Sequence, residues 1–232
     1  MEDLLPVAKQ FGITGPIIGE NGLFAYYPGA KKTTYFLEEN QLRELAKIKQ
    51  YAEKTLLDIL KSYFKTEVHW ENADTVEVLS HQQNKPYTEG SVVVLNNKFR
   101  KYTISAHVKI YKDGKLTPIT SQLDTITAQL QTALADKPVS VASSVTFSNI
   151  LVYANSVSKR TAIEALQQGE FARAKLYAIG DELSDYSMVE GIGTFLTVGN
   201  SLPEVKKHAI ICSQKNYAQG VHELLENIAQ NE

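Results

Sequence analysis

The chain has 232 residues, 43% hydrophobic and 22% charged, with a formal net charge of -2. This is enough apolar material for a sizeable core in one large domain or two modest ones, and the charge excludes a global field drawing it to nucleic acid or a membrane surface. One cysteine, Cys212, excludes an internal disulfide framework and agrees with a reducing compartment. No apolar stretch has the length of a membrane span. The N-terminus lacks the basic and apolar regions of a signal peptide, so a cytoplasmic location is expected.

In chain order, residues 4–11 read as a helix closed by Gly12. Pro16-Ile17-Ile18 is a short strand leading into Glu20-Asn21-Gly22, a tight turn by composition. Residues 23–27 form a second strand, stopped by Pro28-Gly29. From about residue 38 the pattern turns helical, with Leu42, Leu45, Ala52, Leu56, Leu60 and Tyr63 on one face. Strands are expected over 67–70, 75–79, 91–95 and 103–111, the last followed by an Asp113-Gly114 turn. A second helix begins near Pro118 and carries Ile119, Leu123, Ile126, Leu130 and Leu134 inward. Strands over 139–142 and 147–153 follow. Helices covering one face of a sheet make an α+β unit.

After Tyr153 the pattern alternates as α/β. A helix runs from Ser158 to Gly169, and an apolar strand ends at Ile179. The helical pattern after Asp181 stops at Gly191, and a strand covers 195–198. Gly199-Asn200-Ser201-Leu202-Pro203 starts a short helix. A strand over 209–212 and a helix over 218–228 finish the chain. The layout implied is discontinuous: residues 1–30 and 154–232 in one α/β domain, residues 31–153 inserted into it.

Three places could carry chemistry. Asp181 and Asp185 sit where a strand ends and a helix begins, the edge at which open α/β sheets bind ligands. They are either oxygen ligands for a hard divalent cation or an N-terminal cap with a first-turn acid; Glu182 beside them reads as a solvated helix acid. Lys159 opens a helix next to Arg160, where two cations oppose the helix dipole; they are either an exposed basic pair or half of a phosphate site. Asn21 follows a strand end and serves either the turn geometry or a ligand. The five histidines show no metal-ligand spacing, and no glycine-rich nucleotide loop occurs.

Taken in sequence, these segments resemble the haloacid dehalogenase (HAD) superfamily, in the branch with a type IIB α+β cap, the Cof and sucrose-phosphatase-like branch. Pro16-Ile17-Ile18-Gly19-Glu20-Asn21-Gly22 resembles its third core strand and Asn-Gly turn. Ser158-Lys159-Arg160-Thr161-Ala162-Ile163 resembles its lysine motif, and Gly180-Asp181-Glu182-Leu183-Ser184-Asp185 its acidic motif. Val198-Gly199-Asn200-Ser201 resembles the segment that follows, and residues 31–153 have the size and element mix of the cap.

The resemblance implies a Rossmann-like α/β core with an inserted cap and a Mg²⁺-dependent phosphatase acting on a small phosphorylated metabolite. Asp181 and Asp185 would help bind Mg²⁺, Lys159 would neutralise the phosphate, and Asn21 would touch the substrate. The family's Asp-x-Asp-Gly motif, which carries the nucleophile, is absent, as is its Ser/Thr motif; Asp-x-Asp occurs nowhere in the chain. The core is therefore expected to be incomplete, lacking its first two strands, on the order of 40 residues at usual element lengths. A complementing N-terminal fragment is the implied partner, and the expected activity of these residues alone is none. The alternative is a degenerate, non-catalytic protein that binds a phosphorylated ligand or a partner chain.

Overall fold

A computed structural model describes residues 4–230 except 11, 13, 75–86, 146 and 170. The expected strand over 75–79 lies outside the described residues. The chain divides into two compact units, 1–158 and 159–232, at a boundary other than the one the discontinuous layout uses.

The first unit opens with α1 (Leu4–Gln10), β1 (Ile17–Gly19), β2 (Phe24–Tyr27) and β3 (Lys32–Tyr35). β1 pairs antiparallel with β2, and β2 with β3, in a three-stranded sheet. The backbone groups of β1 thus find a partner in their own hairpin. β3 escapes the sequence reading because Lys32, Thr33 and Tyr35 are exposed and leave no apolar alternation.

Next come α2 (Glu39–Phe64), β4 (Val68–Ala73), β5 (Val92–Asn97), β6 (Ile104–Lys112) and β7 (Lys115–Pro118). They are followed by α3 (Leu123–Ala133), β8 (Val139–Ser144) and β9 (Asn149–Ala154). The strands form a six-stranded sheet in the order β4-β5-β6-β9-β8, with β7 also on β6. β6 pairs with β5 along one edge and is long enough to serve two partners along the other: residues 104–107 pair with β9, residues 109–112 with β7. The helix expected near Pro118 begins only at Leu123, because Lys115–Pro118 completes a hairpin through the Asp113-Gly114 turn.

Period-two alternation gives this sheet two different faces. Val92 and Val94 of β5 and Ile104, Ala106 and Val108 of β6 meet Ala52, Leu56 and Leu60 of α2 and Leu123, Ile126 and Leu130 of α3. Both helices therefore cover one face, as the α+β reading expects. Tyr63, placed on the apolar stripe by spacing, is exposed, while Ile48 is buried in that stripe. Val93 and Leu95 point the other way, into a cluster with Ala73 and Leu116. Lys109 pairs opposite Val93 and is 1% exposed. Burial pushes its ammonium pKa down to about 8.

The second unit comprises α4 (Lys159–Gln168), β10 (Tyr177–Gly180), α5 (Leu183–Tyr186), β11 (Thr194–Thr197), α6 (Pro203–Lys206), β12 (Ile211–Cys212) and α7 (Tyr217–Gln230). β10, β11 and β12 form a parallel sheet in that order. Ala178 and Phe195 pack with Val189 and Val205 on one face. Leu196 and Val198 pack with Leu224 of α7 on the other. A parallel sheet covered on both faces reads as the apolar runs seen in the sequence. The helix after Asp181 is a single turn, continued to Gly191 by turns. No helix among the described residues is long and apolar enough to cross a membrane.

Candidate functional site

β10 ends at Gly180, and the chain turns at once into α5 through Asp181 and Glu182. This compact turn is set by Asp185. Its Oδ2 accepts the backbone N–H of Asp181 at 3.2 Å and of Glu182 at 3.3 Å. Glu182 is the N-cap of α5, and its carboxylate and that of Asp185 form a capping box. Glu182 is exposed, as the solvated helix acid expected there, and it also caps the helix. Gly180 is required at this point, since a Cβ there would overlap the Asp185 side chain.

The other carboxylate oxygen of Asp185, Oδ1, accepts Lys159 Nζ at 3.2 Å. Asp185 thus fills the capping role that the sequence offered and also pairs with Lys159. Asp181 is exposed at the sheet edge; its backbone N–H, and not its carboxylate, is what Asp185 holds. Arg160 bonds Glu164 through Nε at 2.8 Å and donates to the Glu190 carbonyl. The two cations that oppose the dipole of α4 both have protein acceptors.

Two hydroxyls that the sequence reading did not single out complete the edge. Thr197 Oγ1, at the end of β11, donates to the Gly180 carbonyl at 2.7 Å. With its one proton used there, it accepts from Ser201 Oγ at 2.6 Å. Thr197 and Ser201 are both buried. The peptide between Gly180 and Asp181 is therefore gripped from both sides: its carbonyl by Thr197, its N–H by Asp185. The signal available in sequence was only that a threonine and a serine close an apolar strand. Downstream, Asn200 Oδ1 accepts the Tyr217 N–H at 2.7 Å and Lys206 Nζ donates to the Gly199 carbonyl at 2.7 Å. His208, scattered by sequence, stacks on Tyr186 with ring centroids 4.2 Å apart.

Asn21 belongs to the first unit. It is half-buried with φ 61 and ψ 30, the left-handed region that asparagine tolerates better than most residues. The turn-geometry reading accounts for it. Its neighbour Glu20 is buried and accepts hydrogen bonds from the Lys101, Tyr102 and Thr103 backbone N–H groups at 2.8 Å each, and from Thr103 Oγ1 at 3.0 Å. Among the described residues no cluster of three or more His, Cys, Asp or Glu side chains is placed to hold a metal ion.

The second unit is a parallel sheet covered on both faces, with an acidic turn and a lysine at its carboxyl edge, where open α/β sheets generally bind ligands. The family model of haloacid dehalogenase-like hydrolases matches residues 1–225, and the chain belongs to that family.

Solved structures share the fold. A haloacid dehalogenase-like hydrolase from Bacteroides thetaiotaomicron aligns with TM-score 0.63 and 19% identity, over 97% of this chain and 82% of its own. The sucrose-phosphatase of Synechocystis sp. PCC6803, solved with sucrose and phosphate, gives 0.54 and 15%, over 97% and 80%. A sugar phosphatase of HAD subclass IIB gives 0.56 and 11%, over 97% and 80%. No curated protein matches the chain by sequence.

Proposed function

We propose that the chain supplies the metal- and phosphate-facing part of a HAD-type phosphatase acting on a small phosphate monoester, a sugar phosphate or phosphoglycolate-like molecule. Residues 1–30 and 154–232 serve as core and residues 31–153 as cap in this reading. The observation that carries it is Lys159 Nζ lying 3.2 Å from Asp185 Oδ1, in the turn that presents Asp181 at the sheet edge.

Asp181 and Asp185 offer only oxygen donors, which suit Mg²⁺ in kind. Asp181 and Asp185 would hold the ion together with ligands from outside these two side chains. Bound Mg²⁺ supplies positive charge to the transferring phosphoryl group. Asp181 would hold the ion, Asp185 fixes the turn and orients Lys159, and the Lys159 ammonium would offset phosphate charge.

No Asp-x-Asp occurs in these 232 residues, so they contain no catalytic nucleophile of the family type. The partner in this reading is a complementing segment that carries it. Among the described residues β10 pairs only with β11, and its other edge can take a further strand. A second reading, a non-catalytic binder of a phosphorylated ligand or a partner chain, is favoured by the same missing motif.

The test is a Mg²⁺ titration and a p-nitrophenyl phosphate assay on the pure chain. Mg²⁺ binding that is lost in Asp181→Asn, without turnover, is the expected result. Robust Mg²⁺-dependent phosphate release abolished by Asp181→Asn overturns the inactivity of the chain alone. Phosphate binding indifferent to both Mg²⁺ and Asp181→Asn favours the second reading.

A further inference from the structure

The first unit contains a cavity of about 560 Å³ between one face of the β1-β2-β3 sheet and the loop joining β5 to β6. Its size is that of a small-molecule site. Phe24, Thr33 and Tyr35 line the sheet side, and Lys98, Phe99 and Lys101 the loop side.

The walls are fixed by tertiary contacts. Gly19 has no Cβ, and the Phe24 ring occupies the space that one would need. Phe24 meets Tyr35 edge-to-face with centroids 5.8 Å apart, and Tyr35 meets Tyr102 edge-to-face at 5.7 Å. Glu20 holds the loop through three backbone N–H groups and the Thr103 hydroxyl. Those four donors hold the Glu20 carboxylate against the loop backbone.

Lys98 and Lys101 both line the space. Lys101 uses its backbone on Glu20, while its exposed ammonium stands 4.9 Å from the Tyr102 ring centroid. Lys98 pairs with Asp74 at 3.2 Å. Tyr35, 37% exposed, presents a ring and a hydroxyl. Aromatic walls with a cation at one end, held rigid before any ligand arrives, lower the ordering cost of binding.

We propose that this cavity is a binding site for a small organic anion. A ring-bearing body packs against Phe24, Tyr35 and Phe99, and its carboxylate, sulfonate or phosphate group takes the Lys101 ammonium, with the Thr33 hydroxyl as a further donor. The site is built from first-unit residues alone and does not depend on the phosphatase reading.

The test is fluorescence titration of the full chain with 1-anilinonaphthalene-8-sulfonate and with its neutral analogue N-phenyl-1-naphthylamine. The sulfonate is expected to saturate one site and bind more tightly than the neutral analogue. Its affinity is expected to fall about tenfold in Lys101→Gln, for loss of a charge-assisted contact, and to fall in Tyr35→Ala. Lys54→Gln, on the α2 surface, is expected to leave it unchanged. Both test positions are exposed side chains, and Lys101→Gln keeps the backbone bond to Glu20. Equal binding of the two probes, an affinity indifferent to Lys101→Gln and Tyr35→Ala, an equal loss in Lys54→Gln, or no saturable binding overturns the proposal.

Discussion

Asp185 divides its carboxylate between two tasks: Oδ2 accepts the backbone N–H of Asp181 at 3.2 Å, and Oδ1 accepts Lys159 Nζ at 3.2 Å. A single acid thus shapes the turn that presents Asp181 and fixes the lysine at the same edge. The two acids of the motif are unequal. Asp185 is committed to the protein; Asp181 is open to solvent.

That inequality sets their mutational cost. Asp185→Ala removes a capping acceptor for two backbone N–H groups and is expected to destabilise the chain by about 1 kcal/mol, the usual cost of losing a cap. The partly exposed Lys159 pair adds little. Asp181→Ala is expected to stay within about 0.5 kcal/mol of the parent, as surface substitutions do. Urea unfolding of the complete chain measures both, and faster amide exchange at Asp181 and Glu182 in Asp185→Ala locates the effect.

Thr197 holds the opposite side of the same peptide. Thr197→Val keeps the shape but leaves the Gly180 carbonyl and the buried Ser201 hydroxyl without their partner. The expected loss is about 1–3 kcal/mol, the cost of orphaned buried polar groups. Thr197→Ser keeps the hydroxyl and is expected to recover most of it. Equal denaturant midpoints for the two variants would show that the hydroxyl bond contributes nothing.

Glu20 is expected to be the most sensitive acid of the first unit. Glu20→Gln places an amide N–H₂ against donors that need an acceptor, with an expected cost of about 2 kcal/mol. The β5–β6 loop should loosen with it. Thermal unfolding gives the first effect, and proteolysis within residues 98–103 the second.

Lys109 predicts a pH dependence. Its folded pKa of about 8 lies below the ordinary 10.5. Between those values the unfolded chain binds more protons than the folded one, so stability rises with pH across that window. Below about 8 both states are protonated and the burial cost is fully present. The stability difference between the parent and Lys109→Met is therefore expected to shift in favour of the parent from pH 8 to pH 10.5. Urea midpoints at several pH values measure it, and a difference flat across that window contradicts the assignment.

The elements legible in the sequence are those with a strong apolar period. The buried face of α2, from Leu42 to Leu60, and that of α3 follow helical spacing. The strands of the parallel sheet are apolar runs because both of their faces are covered. β3 and β7 were not legible. Lys32–Tyr35 is mostly exposed and Lys115–Pro118 buries only Leu116, so their pairing depends on β2 and β6 and not on their own composition.

For the site, residue types and order alone marked Lys159, Asp181 and Asp185 and pointed to the family, because a chemical motif is local in sequence. What each of them touches was visible only in the fold: Asp185 holds backbone N–H groups with Oδ2 and Lys159 with Oδ1, and Asn21 sits at φ 61 in its turn. The bonding partners of Thr197 and Glu20 carried no local signal. Their hydrogen bonds span 17 and 81–83 residues of chain, and only the folded chain brings such partners within bonding distance.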